Sequence, residues 1–177
     1  MKKLTLFLAI LLVFINIKAQ NINTETKPVL SFDVLSIDDL KQLVFSSKKK
    51  LKVVYFFKTG CPYNVESMPT INTFYKEQIS NLDLFVVSFG NKKNKQYLQD
   101  YLFFKGYQIP VYIIDDSAIF NNKKYKRVVE NLCDSCNQKS MGYADFFILD
   151  ENNNLIVQSN CSQNLDEHIQ ILKSQLD

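Results

Sequence analysis

The stretch VVYFFKTGCPYNVESMP, residues 53–69, decides how the rest of the chain is read. It opens on a run of β-forming apolar residues that belongs to LKVVYFF, residues 51–57, and such a run suits a strand buried on both faces. The run stops at Lys58-Thr59-Gly60, a single cysteine follows at Cys61, and Pro62 opens a helix-like segment reaching about Ile79. Pro69 falls inside that segment and is expected to interrupt and kink it. Helix N-termini carry about half a positive charge and free N–H groups, an environment that favours thiolates in general. A thiolate so placed can attack a disulfide. The residue three positions on is Asn64, which cannot release the resulting mixed disulfide.

Outward from this stretch, strands and helices alternate. VLSFDVL (29–35) reads as a strand, and SIDDLKQLVFSSKKK begins with Ser36 as an N-cap before a stripe of Ile37, Leu40 and Leu43. LDLFVVSF (82–89) is a second buried strand, residues 92–106 form an amphipathic helix closed by Gly106, and IPVYIID (109–115) is a short strand. Residues 117–142 are the least regular part, with a helical portion around 118–132. ADFFILD (144–150) and LIVQS (155–159) pair across the ENNN turn, and residues 165–176 make a last amphipathic helix. This order predicts an α/β fold, a mixed sheet with helices on both faces.

The bulk numbers agree with one globular domain: 177 residues, 46% hydrophobic and 22% charged. Residues 1–19 are read as a cleavable signal peptide, with Lys2 and Lys3 before an apolar run and Ala19 at the cleavage position. Residues 20–28 are a polar leader, and residues 29–177 are the domain. Of the 21 basic residues, Lys2, Lys3 and Lys18 leave with the signal, so 18 remain against 18 acidic ones. A neutral mature chain gives no electrostatic support for nucleic-acid binding. The expected location is periplasmic or secreted, where disulfides persist, with membrane attachment only if the signal segment is retained.

With this pattern laid out, the chain resembles the thioredoxin superfamily, most closely its exported TlpA-like branch. The frame Phe56-Phe57-Lys58-Thr59-Gly60-Cys61-Pro62-Tyr63-Asn64-Val65-Glu66-Ser67-Met68-Pro69 aligns without a gap to a family motif of the type F-W-A-T-W-C-x-x-C-x-x-E-M-P. GYADFFILD (142–150) fits the frame of the family's later G-V-P-T-T-F-L-I-D segment. The resemblance implies a thioredoxin-like mixed sheet, Cys61 as nucleophile, and a site lined by Pro62, Tyr63, Asn64 and Ala144. Two departures stand out: Asn64 replaces the resolving cysteine, and Ala144 replaces the family's cis-proline. A cis bond before a non-proline residue costs about 2.5–4 kcal/mol, so the Tyr143–Ala144 bond is expected to be trans.

Three more cysteines are candidates for resolving or disulfide partners: Cys133, Cys136 and Cys161. The pair in CDSC (133–136) is expected to be a local disulfide, since it follows a helix end rather than opening a helix. Zinc needs about four ligands and the chain has one histidine, so no metal and no other cofactor is expected. The resemblance places the CDSC loop and Cys161 near the rim that holds Cys61, which allows a relay from CDSC or a Cys61–Cys161 disulfide. His168 is expected on the surface of the last helix, and Asp115, Asp116 and Asp150 in turns. Two functions stay open. One is an exported oxidoreductase-like protein acting on protein thiols or disulfides, or with a redox partner, through Cys61 and a non-local resolving cysteine. The other is a non-catalytic binding or structural module stapled by disulfides.

Overall fold

A computed structural model describes residues 32–89, 95–107, 109–114 and 124–175. The expected signal peptide and leader, Asp115, Asp116 and the first residues of the 118–132 helix lie outside these. Among the described residues the strands are β1 (Phe32–Leu35), β2 (Leu51–Phe57), β3 (Leu82–Phe89), β4 (Val111–Ile114), β5 (Phe146–Asp150) and β6 (Leu155–Gln158). The helices are α1 (Ile37–Ser46), α2 (Pro62–Gln78), α3 (Lys95–Phe104), α4 (Lys124–Leu132) and α5 (Leu165–Ser174), with a 3₁₀ turn at Gln138–Ser140.

Local chemistry sets the boundaries. Ser36 caps α1 by accepting from the Asp39 N–H at 3.1 Å, while the Asp39 carboxylate takes the Ser36 N–H at 3.3 Å. Asn164 and Glu167 make the same reciprocal box at α5. Asp150 holds the β5–β6 turn by accepting from the N–H groups of Asn152 and Asn154, each at 2.8 Å, the turn role expected of it. Helix α2 continues through Pro69 to Gln78, so the expected interruption does not end it.

The strands form one mixed sheet in the order β1-β4-β3-β2-β5-β6. β1, β4, β3 and β2 run parallel, and β5 and β6 are antiparallel to their neighbours. All seven residues of β2 are buried. Their alternation supplies both sides of the sheet. Val53, Tyr55 and Phe57 pack with Met68, Ile71 and Phe74 of α2, Leu98 and Leu102 of α3, and Leu172 of α5. Val54 and Phe56 face the opposite way, against Leu40 and Val44 of α1 and Val128 and Leu132 of α4. Helices therefore cover both faces, as the element order predicts. The crossovers reverse direction at β2: β1 reaches it from the far edge, and the chain then steps back to β3. A crevice outside the carboxyl end of a strand at such a reversal is where α/β sheets hold their sites. Cys61 lies just beyond that end of β2.

Candidate functional site

Cys61 is the N-cap residue of α2, with extended backbone (φ −77°, ψ 118°) and Pro62 in the first turn. No side chain caps this helix, so the Cys61 thiol stands at an N-terminus without a competing hydrogen-bond acceptor. The Cys61 N–H donates to the Lys58 carbonyl at 3.2 Å, which closes a tight turn at Gly60. Gly60 adopts φ +81°, a left-handed conformation that glycine enters without steric cost. The thiol is partly exposed and free. The Lys58 ammonium lies 4.8 Å from the centre of the Tyr143 ring, a cation–π contact that ties the two loops of the site together.

Asn64 does not occupy the rim. It is 0% exposed, beneath the Cys61 loop. Its Oδ1 accepts from the Lys58 N–H at 2.8 Å, and its Nδ2 donates to the Phe56 carbonyl at 3.3 Å and the Tyr55 hydroxyl at 2.7 Å. The two backbone partners fix which end of the amide is oxygen. Tyr55 and Ser67 hydroxyls meet at 2.6 Å, and the Ser67 hydroxyl reaches back to the Asn64 carbonyl at 3.5 Å. Burial pushes the Tyr55 hydroxyl up to about 12 against the opposing pull of its Ser67 and Asn64 hydrogen bonds, with smaller upward contributions from Cys61 and Asp145. Tyr55 is therefore a neutral donor at ordinary pH. Replacing Asn64 with alanine strands the buried Lys58 N–H. Denaturant unfolding is expected to show a loss of about 2 kcal/mol, the desolvation cost of one orphaned amide plus a small cavity.

The facing loop is 142–145. Ala144 is buried, donates its N–H to the Phe56 carbonyl at 2.8 Å, and adopts φ +76°. No cis peptide bond occurs among the described residues, so the Tyr143–Ala144 bond is trans as expected. The left-handed conformation was not expected and costs a non-glycine residue about 1–2 kcal/mol. It explains why β5 starts at Phe146 rather than at residue 144. Asp145 follows, 1% exposed. Its Oδ2 accepts from the Gly142 N–H at 2.6 Å and its Oδ1 from the Ser159 hydroxyl at 2.9 Å, with His168 Nε2 at 3.5 Å from Oδ1.

Placed against solved structures, this arrangement has relatives in shape. A thiol:disulfide interchange protein of the thioredoxin family from Chlorobium tepidum matches with a TM-score of 0.53 and 16% identity, over 88% of this chain and 99% of that one. A thioredoxin-like protein solved in solution in its oxidised form matches at 0.52 and 12% identity, over 84% and 95%. StoA from Bacillus subtilis matches at 0.50 and 16% identity, over 71% and 84%. The fold is thioredoxin-like. No family model matches the sequence, and no curated protein does. At these identities the likeness concerns the fold.

On this thioredoxin-like scaffold the four cysteines separate. Cys133 and Cys136 form the expected disulfide, and Cys61 and Cys161 are free thiols, so the Cys61–Cys161 disulfide expected from the sequence is not formed. The Cys161 N–H donates to the Ser140 carbonyl at 2.9 Å, and its Cβ lies 3.8 Å from where a Cβ on Gly142 would stand. The Cys133–Cys136 disulfide is buried in the core on the α1/α4 side. Cys133 borders a cleft shared with Lys41, Phe45 and residues 152–155 of the β5–β6 turn. The register pairs Leu51 with Asp150, so that turn lies at the end of β2 opposite Cys61. Seven residues of strand separate the two ends by roughly 20 Å. The disulfide is a staple of the α4 end and not a neighbour of the Cys61 thiol. Replacing both cysteines with serine is expected to cost about 2 kcal/mol, the closure entropy of so short a loop, read as a shifted urea midpoint.

Of the other residues expected to line the site, Pro62 opens α2 at the rim beside Cys61, while Tyr63 points outward at 57% exposure. His168 corrects an expectation. It is 8% exposed rather than on the surface, because the Asn164 cap sets α5 so that His168 shares its inner side with Ile171 and Leu172. Its ring stands edge-on to Phe146 at 5.5 Å, and its Nε2 also faces the Asn160 carbonyl at 3.3 Å. Both neighbours of that nitrogen are acceptors, so Nε2 carries the proton.

Asp145 gives a pH-dependent stability. Burial raises its carboxyl above the usual range, against the Ser159 and Gly142 hydrogen bonds and the His168 charge, which lower it. The folded chain therefore binds this proton where the unfolded chain has already lost it. The associated stabilisation is full below the unfolded carboxyl value and is lost as pH rises through the raised folded one. Asp145→Asn lacks this loss. Unfolding curves from pH 3 to pH 7 should show the variant gaining on the wild type as pH rises.

Proposed function

We propose that this chain is an exported, TlpA-like thiol–disulfide exchange protein in which Cys61 is the nucleophile and Cys161 the resolving thiol. The observation that carries the reading is the free Cys61 thiol at the uncapped N-terminus of α2, beyond the carboxyl end of the sheet's reversal strand. Of the three partners considered for it, Cys133 and Cys136 are closed in a buried disulfide toward the far end of β2, and Cys161 is free and exposed. The names of the neighbours in shape, a thiol:disulfide interchange protein among them, support the same chemistry. The signal-like residues 1–19 support export, and the substrates on this reading are protein disulfides or a redox partner outside the cytoplasm.

In the exchange, the Cys61 thiolate attacks one sulfur of a substrate disulfide and the other leaves as a thiolate. Cys161 then attacks the Cys61 sulfur of the mixed disulfide, a Cys61–Cys161 bond forms, and the second substrate thiolate departs. The substrate gains the two electrons that the protein's dithiol loses, and an external dithiol returns the protein to its reduced form. Tyr143 lies in the facing loop, its ring 4.8 Å from the Lys58 ammonium. Burial raises its hydroxyl, and Tyr125 and Cys61 add to the rise.

A second reading, a binding module without turnover, draws on one observation: Asn64 is fully built into the core and holds no redox chemistry. Reduction of insulin by dithiothreitol in the presence of wild type, Cys61→Ser and Cys161→Ser distinguishes the two. Exchange requires the wild type to accelerate the reaction and Cys61→Ser not to. Equal rates for wild type and Cys61→Ser favour the binding module.

A further inference from the structure

We propose that Asp145 is the positioning residue of the resolution step: its buried carboxylate fixes the 142–144 loop, and through it the placement of Cys161 relative to Cys61. The proposal rests on the exchange reading and adds a residue that belongs to no sequence motif.

The loop runs from the neighbourhood of Cys161 to the end of β2 that leads to Cys61. Gly142 is the neighbour of Cys161, whose Cβ lies 3.8 Å from the point where a Gly142 Cβ would stand. Tyr143, the next residue, meets the Lys58 ammonium of the turn that leads to Cys61, at 4.8 Å from its ring centre. Ala144 then binds the end of β2 through its N–H to the Phe56 carbonyl, and the Asp145 carbonyl takes the Phe56 N–H at 2.9 Å. Four consecutive residues thus join the Cys161 segment to the end of β2, one of them in a conformation that Ala144 does not favour on its own.

The Asp145 side chain holds that conformation. Its Oδ2 reaches back across Ala144 to the Gly142 N–H, closing the loop from the inside. Its Oδ1 takes the Ser159 hydroxyl, and Ser159 in turn accepts the Phe146 N–H at 2.8 Å and donates its own N–H to the Phe146 carbonyl at 2.9 Å. Two residues after Ser159 comes Cys161. One carboxylate therefore joins the loop beside Cys61 to the segment that carries Cys161, with His168 of α5 facing the same oxygen. A carboxylate suits the place because both oxygens meet donors. A buried acid is otherwise an expensive group to keep, and nothing in the core packing requires one.

In the step concerned, the Cys161 thiolate attacks the Cys61 sulfur, the Cys61–Cys161 bond forms, and the bond to the substrate sulfur breaks, releasing a thiolate. Asp145 touches no reacting atom, so its loss slows this step and leaves the first attack by Cys61 intact.

The experiment mixes one equivalent of 5,5′-dithiobis(2-nitrobenzoate) with the full mature chain, its Cys133–Cys136 disulfide intact. Attack by Cys61 releases one thionitrobenzoate, and resolution by Cys161 releases the second. In Asp145→Ala the first phase is expected within about twofold of wild type and the second slowed at least about tenfold. Asp145→Asn, which keeps an oxygen for the Gly142 N–H, restores the second phase to within about threefold. A second phase of wild-type rate in Asp145→Ala, or equal slowing of both phases, overturns the proposal. If Asp145→Ala does not fold, Ser159→Ala takes its place with the same expected slowing and the same contrary result. Amide hydrogen exchange at Gly142 is the readout independent of chemistry: about tenfold faster exchange in the variant is expected, and unchanged exchange overturns the positioning role. Should the wild type release a single equivalent, the exchange reading itself falls, and the Gly142 amide alone decides whether Asp145 fixes the loop.

Discussion

Cys61→Ser is expected to lower disulfide reduction by at least about a hundredfold, to the level of the reductant alone. The nucleophile of this chemistry is a thiolate, and a serine hydroxyl in the same place is not ionised at neutral pH. The substitution changes one sulfur to oxygen at a partly exposed N-cap, so stability should hardly move, and a loss of rate can be read as chemistry. Cys161→Ser is the informative companion. It leaves the first attack in place and removes the thiol that resolves it, so a mixed disulfide on Cys61 should accumulate and be visible as a mass adduct. An insulin assay with the three proteins, each checked by thermal unfolding, measures the effect. Wild-type rates from Cys61→Ser would remove the catalytic reading.

The second large effect concerns Ala144. The family that this chain resembles carries proline at that position, and restoring it here is expected to harm the protein. Proline holds φ near −65°, whereas Ala144 sits at +76°. Proline also has no N–H, and the Ala144 N–H is the donor to the Phe56 carbonyl at the end of β2. Ala144→Pro should therefore lose about 3 kcal/mol or more in urea unfolding. Ala144→Gly accepts the conformation freely, so its stability should stay within about 1 kcal/mol of wild type. A proline variant as stable as wild type would show that the loop is not held in the left-handed form. The prediction separates a site that has lost its proline from one rebuilt around a different backbone.

Much of this scaffold was legible in the sequence because its signals are local. LKVVYFF and LDLFVVSF are apolar without a break, and the structure gives them the same bounds, 51–57 and 82–89. Ser36 and its Asp39 sit at capping spacing, and the box forms. The site was less legible because its contacts are not local. Asp145 and His168 are 23 positions apart, on a strand lead-in and on the last helix, and nothing near either one in sequence names the other. A signal did exist in part: His168 falls three and four positions before Ile171 and Leu172, on the buried side of α5. Asn64 offered the same clue, since Ser67, Met68 and Ile71 continue its stripe along α2 and all are buried. Read by identity, Asn64 is a missing cysteine. Read by position, it is a core residue whose amide holds the turn before Cys61. The left-handed Ala144 had no signal, because alanine there meets neither the glycine nor the asparagine that usually marks such a turn.

On the exchange reading Cys61 and Cys161, both free in this structure, act together. Mass mapping of non-reduced peptides, after one equivalent of a disulfide substrate has been consumed by the reduced Cys61/Cys161 protein, tests it most directly. The expected result is a new Cys61–Cys161 linkage beside an unchanged Cys133–Cys136 disulfide, with the substrate reduced in equal amount. Cys61 still free and alkylated, with the substrate disulfide intact, would contradict it.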